Sequence, residues 1–221
     1  MKRYFTIILM AAVLLQTAAV SAQSSKDSLA GMEIFRAASD YVFSGRKLSV
    51  VLTNIDKKGN PYYNTGFFVA VPDRGYMEID GVSQFQFSPT VVSSYSYETN
   101  EYVIQKRKSS SESISDNPFS ILSKSDKGIA VSEPKAGDVR GQSCTKISVT
   151  PKGKAYYARA DIYVDTKAES LKVLRITVVI KKNQAFVVDI VKAGPSEPDK
   201  VGEYRLLVSD HPGAQTIDLR D

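Results

Sequence analysis

Tryptophan is absent from these 221 residues, and histidine and cysteine occur once each. Each shortage removes a class of chemistry. A lone histidine, His211, cannot build a multi-histidine metal site. A lone cysteine, Cys144, cannot close an intramolecular disulfide, so packing alone must hold the fold. Its neighbours Thr145, Ile147 and Val149 read as a strand, in which the thiol is expected to be buried and inert. The chain has no glycine-rich phosphate loop, no paired-cysteine motif and no basic block with interleaved aromatics, so neither a cofactor nor nucleic acid is expected as a partner. Its net charge of +5 falls to about +3 once Lys2 and Arg3 are set aside, which suits soluble strands more than a polyanion.

What is present at the N-terminus reads as an export signal. Lys2 and Arg3 are followed by an apolar run from Phe5 to Leu15, broken only by Thr6, and then by Val20-Ser21-Ala22. This order predicts a signal peptide over residues 1–22 with cleavage near Ala22, because the apolar run is shorter than the roughly 20 residues that span a bilayer. The remaining chain, 23–221, is expected to form one periplasmic domain with a sizeable core, acting as a monomer.

The hydrophobic period then divides the chain. Leu29, Met32, Phe35, Ala38 and Val42 recur at helical spacing and predict a helix from Leu29 to Gly45, with glycine at its end. From Arg46 the period becomes two, with Leu48, Val50 and Leu52 sharing a face. Further strands are predicted at Tyr62–Val71, Tyr76–Ile79, Val91–Tyr97, Tyr102–Lys106, Cys144–Thr150, Ala158–Val164, Leu171–Lys181, Gln184–Ala193 and Tyr204–Val208. A Ser-rich stretch, 108–116, leads to Asn117-Pro118, a cap followed by a first-turn proline, and then to the short apolar helix of Phe119, Ile121 and Leu122. Hairpin connections predict antiparallel pairing throughout. The expected fold class is mostly β: an unclosed antiparallel barrel, or strongly curved sheet, with an N-terminal helix and a short inserted lid helix.

Catalytic constellations are weak. Ser209 and His211 lack an elbow or oxyanion donors. Ser132-Glu133-Pro134-Lys135 matches a Ser-x-x-Lys pattern, but Pro134 stands where a helix is required. Glu98 and Glu101 belong to a hairpin turn. No catalytic residue, metal ligand or enzyme activity is expected.

The order of elements, with Gly66-Phe67-Phe68-Val69, the stretch from Val92 to Ile104 with its Tyr95-Ser96-Tyr97 hairpin, Asn117-Pro118-Phe119-Ser120-Ile121-Leu122 and the ending His211-Pro212-Gly213-Ala214-Gln215-Thr216-Ile217-Asp218-Leu219-Arg220, resembles the LolA-like family of periplasmic outer-membrane lipoprotein carriers across nearly all of the mature chain. The resemblance implies an unclosed barrel with helices lidding an apolar cavity. It also implies acyl chains received from an inner-membrane exporter and passed to an outer-membrane acceptor. Two departures stand out: Tyr95 replaces the family's usual Trp, and Val71, not the lid-latching Arg, precedes Pro72. The expected acyl lining is Leu48, Val50, Leu52, Phe67, Val69, Tyr95, Ile176 and Val178, and the expected lid is Phe119, Ile121 and Leu122. A sixteen-carbon chain resists water by roughly 12 kcal/mol at about 0.8 kcal/mol per methylene, so a carrier needs a lining of that kind. The rival expectation is a periplasmic sensor of the RseB type, an interaction module on the same fold that binds a signalling protein or a lipidated ligand.

Overall fold

The computed structural model describes residues 30–55, 60–107, 117–123, 126–168, 170–180 and 185–220. The expected leader, Leu29, the Ser-rich stretch and the turn at Lys181-Lys182-Asn183 lie outside the described residues. Helix α1 spans 30–42. It ends at Gly45, whose φ of +77° is the left-handed conformation that glycine adopts without steric cost, and whose N–H donates to the Ala70 carbonyl at 2.8 Å. The helical stripe is buried as its spacing predicts: Phe35, Ala38 and Val42 are inaccessible, and Met32 packs beside them.

Among the described residues thirteen strands follow: β1 Arg46–Ile55, β2 Pro61–Val71, β3 Arg74–Ile79, β4 Ser83–Phe87, β5 Val91–Ser96, β6 Glu101–Lys106, β7 Ile129–Val131, β8 Lys135–Val139, β9 Gln142–Pro151, β10 Tyr157–Asp165, β11 Lys172–Ile180, β12 Ala185–Ser196 and β13 Gln215–Leu219. They make one sheet in the order β13-β6-β5-β4-β3-β2-β1-β12-β11-β10-β9-β7, with β8 also on β9. The path does not close on itself, so the sheet is an unclosed, strongly curved wall. Its two runs of hairpins meet at β1, which pairs with β2 on one side and with β12 on the other.

One face of this wall holds the main core. Leu48, Val50 and Leu52 of β1 align with Phe68, Gly66 and Asn64 of β2 and with Ala193, Ile190 and Val188 of β12. The same face carries Ile176 and Val178 of β11, Ala160 and Ile162 of β10 and Ile147 and Val149 of β9, all buried with α1. Gly66 of β2 pairs with Ile79 of β3. A Cβ there would collide with the Glu78 carbonyl oxygen, so this close approach needs a residue without one.

The opposite face is covered differently along its length. Over β9 to β12 it carries ion pairs, chiefly the two-pronged Arg175–Asp189 contact at 2.7 and 3.0 Å. Over β2 to β6 it carries a second apolar layer of Val69, Tyr76, Tyr95 and Tyr102, closed by Val201 and Leu206 of the C-terminal segment.

Three expectations need correction. Tyr204–Val208 is not a strand. It crosses the outer face as irregular chain up to Leu207, with Val208 opening a 3-10 turn, and its alternation is real because Tyr204 and Leu206 face the sheet while Arg205 and Leu207 face solvent. The last strand is β13, and it lies parallel to β6, so pairing is not antiparallel throughout. A loop chain such as 197–214 can return over the face and enter the edge from either direction, and hairpin counting does not see this. Cys144 is half-buried, not buried. Burial, then Asp138 and Asp165, push its thiol up, which keeps it protonated and unreactive at neutral pH.

Candidate functional site

On the inner face of the curled wall, a short helix packs into the same core as α1. Pro118–Ser123 is a 3-10 helix of about two turns in which Pro118, Phe119, Ser120, Ile121 and Leu122 are all buried. Asn117 builds its start as the sequence predicts: the side-chain oxygen accepts the Phe119 N–H at 3.0 Å. Phe119 then stacks on Phe68 with centroids 4.3 Å apart, and Phe68 stacks on Phe87 at 6.1 Å and meets Phe43 edge-on at 6.1 Å. An apolar plug with an exposed serine, Ser123, behind it thus closes the inner face.

Beside the plug a cavity of about 210 Å³ remains, lined by Leu52, Asn54, Asn64, Met77, Ile79, Pro118, Tyr156, Ile180 and Phe186. It lies at the end of the wall where β1 passes to β2, β9 to β10 and β11 to β12. Small-molecule pockets run from roughly 300 Å³ upward, so the cavity offers less room than a long hydrocarbon chain needs. Its wall is apolar except for the two asparagine amides and the half-exposed Tyr156.

The sequence-predicted lining residues divide between the two faces. Leu48, Val50, Leu52, Ile176 and Val178 share the inner core, and among them Leu52 reaches the cavity. Phe67, Val69 and Tyr95 face the other way. Phe67 packs between Tyr76 and Tyr204 at 5.6 and 5.7 Å, with the Lys47 ammonium 3.8 Å above its ring. Val69 is buried under Val201 and Leu206. Tyr95 stacks on His211 at 3.6 Å and donates its hydroxyl to Asn100. The run Phe67-Phe68-Val69-Ala70-Val71 is apolar in both phases, so its alternation could not tell inner from outer. Val71 also faces the outer layer and Arg74 is exposed; position 71 therefore points away from the plug.

Sequence reasoning missed Asn54 and Asn64. The signal was present: each is a polar residue in phase with the inner apolar face of its strand.

The candidate catalytic groups are engaged elsewhere. The Ser209 hydroxyl donates to Asp210, and the His211 ring reaches Gln84 at 2.9 Å while Tyr97 meets it edge-on. His211 thereby clasps the C-terminal segment to the outer face. Ser132 accepts the Ser148 N–H and donates to the Glu133 carbonyl. Among the described residues no group of three or more His, Cys, Asp or Glu side chains converges on one point, and no helix is long and apolar enough to cross a membrane.

No family model matches the chain, and no curated protein matches it. Solved structures do. An uncharacterised conserved protein from Thermus thermophilus aligns with a TM-score of 0.52 at 13% identity, over 86% of this chain and 99% of that one. A candidate outer membrane lipoprotein-sorting protein domain from Vibrio parahaemolyticus aligns at 0.44 and 12% identity, over 80% and 97%. A LolA superfamily protein from Nitrosomonas europaea aligns at 0.41 and 8% identity, over 77% and 96%. In fold, the chain resembles the first of these, the Thermus thermophilus protein. At these identities the likeness is one of architecture.

Proposed function

We propose that this protein is a periplasmic carrier that takes acyl chains of lipoproteins, or of another lipid, under its curved sheet and shuttles them toward the outer membrane. One observation carries the reading: beside α1 the inner face is covered not by a further strand but by a short apolar helix, next to a residual cavity. The Phe119, Ile121 and Leu122 side chains hold about fifteen carbons, close to an acyl chain whose methylenes are each worth ~0.8 kcal/mol. Exchange of plug for chain therefore replaces one apolar filling by another of similar size. Neither state leaves the inner face wet, and release is not opposed by the whole burial energy of the chain. The exchange needs no cofactor and no bond-making residue. The export signal and the LolA-like residues support the compartment, and the exporter and acceptor of that resemblance are the partners proposed.

The filled interior favours a second reading, an interaction module that binds a signalling protein and carries no lipid. The discriminating experiment is purification of the mature chain from the periplasm, followed by mass spectrometry of bound lipid and lipoprotein. Stoichiometric acyl species support carriage. A lipid-free protein that captures a protein partner supports the module.

A further inference from the structure

The cavity is not uniformly apolar, and its polar groups stand together. Along the inner face, β1 runs Leu48, Val50, Leu52 and then Asn54, while β2 runs Asn64, Gly66 and Phe68 back into the core. Leu52 pairs with Asn64, and Asn54 with Tyr62, so the two asparagines are diagonal neighbours on one face. Diagonal positions across an antiparallel pair lie roughly 7 Å apart. A single polar head can therefore reach both. Both side chains line the cavity, and among the described residues neither amide takes part in a hydrogen bond. Tyr156 lines the same space and is 53% exposed, which puts a phenol at the solvent end. The other lining residues, Leu52, Met77, Ile79, Pro118, Ile180 and Phe186, are apolar, and no lysine or arginine is among them.

We infer that Asn54 and Asn64 form a head-group subsite for the carbonyl of a neutral acyl ester or amide, which holds the chain by its head at the mouth with its tail directed under the plug. The assignment rests on the carrier reading and names the ligand chemistry of that same cavity. Each asparagine Nδ2 donates to a carbonyl oxygen. A free carboxylate is the poorer ligand, because leaving water without a cationic partner costs more than two neutral donors return. The space of about 210 Å³ is below the roughly 300 Å³ at which small-molecule pockets begin. A head with a short tail thus fits beside the plug, and a long tail fits only when the plug withdraws.

The test uses the mature full chain and three probes: monooctanoylglycerol, octanoate and the uncharged dye N-phenyl-1-naphthylamine, titrated by calorimetry and fluorescence at pH 8. The wild type should bind the ester at least about tenfold more tightly than octanoate, a difference of about 1.4 kcal/mol. Asn54→Leu and Asn64→Leu should each weaken ester binding about three- to tenfold, on the scale of one hydrogen bond, and should not weaken uptake of the dye, which needs no donor. Asn54→Asp, which keeps the shape and loses the donors, should weaken the ester as much and guards against a packing defect in the leucine variant. Ester affinity unchanged in all three variants overturns the subsite, as does preference for octanoate. Binding of the dye without the ester overturns the subsite and leaves carriage standing. Uptake of none of the three by the wild type overturns both.

Discussion

The Phe119 ring rests on the Phe68 ring at a centroid separation of 4.3 Å and an interplanar angle of 27°. Through that stack one side chain of the plug reaches the centre of the aromatic cluster formed by Phe43, Phe68 and Phe87.

On the carrier reading, the contact sets the balance between closed protein and loaded protein. Phe119→Ala should cost about 3–5 kcal/mol of stability in urea unfolding, the range for a buried phenylalanine. The same change empties the place that a chain would take. Affinity for a sixteen-carbon acyl ester should rise in the variant while affinity for the eight-carbon ester changes little. Loss of long-chain affinity would instead make the ring part of the ligand's own contact surface.

Filling the cavity should do the reverse. Ile180 lines it and is only partly buried. Ile180→Phe adds volume where volume is free, so the stability change should stay below the ~1–3 kcal/mol of an overpacked core. Uptake of monooctanoylglycerol should drop by an order of magnitude or more, as read by calorimetry.

Phe67 offers the opposite pattern. Its ring lies on the outer face against Tyr76, Tyr204 and the Lys47 ammonium. Phe67→Ala should lower stability by about 2–3 kcal/mol, somewhat less than a fully buried ring. It should also speed hydrogen exchange in 201–206 and leave acyl binding unchanged. A matching fall in acyl affinity would place the ligand on the outer face.

Alkaline pH should unfold the protein through its buried phenols. Burial raises Tyr157 from 10.0 to about 12. In the unfolded chain that phenol ionises near its ordinary value, so stability is fully present below about pH 10 and is lost as pH rises toward 12. Burial and the neighbouring Glu78 carboxylate raise Tyr76 as well, so the two add. Tyr157→Phe should flatten the fall in thermal midpoint between pH 10 and 12, and Tyr76 should leave a residual slope.

Much of this architecture was legible because local rules governed it. Gly45 had to end the helix, Asn117-Pro118 had to start one, and β1 alternates apolar with polar cleanly enough to fix which of its faces is inner. The faces of β2 and β5 were not legible, since their outer sides are also apolar or aromatic and are covered by the distant segment 197–214. That cover is a tertiary event. Nothing local to Phe67, Val69 or Tyr95 announces a strap that arrives more than a hundred residues later. β4, Ser83–Phe87, went unseen because its polar glutamines and serine weaken the strand pattern, and the β13 pairing because a five-residue edge strand derives its order from a neighbour. Asn54 and Asn64 were overlooked because attention to greasy positions discards the amides placed among them.

The seam between β1 and β12 reaches beyond the finished structure, into the time before it exists. Leu52 meets Val188 across it, while almost every other pairing in the sheet joins strands close in sequence. Zipping two meanders takes only short loops, but uniting them closes one of more than a hundred residues, at an entropic cost of about 4 kcal/mol. Contacts of such separation form late and slowly. The nascent chain should therefore linger as two half-sheets with bare oily edges, a form that a chaperone could hold and that aggregation would exploit.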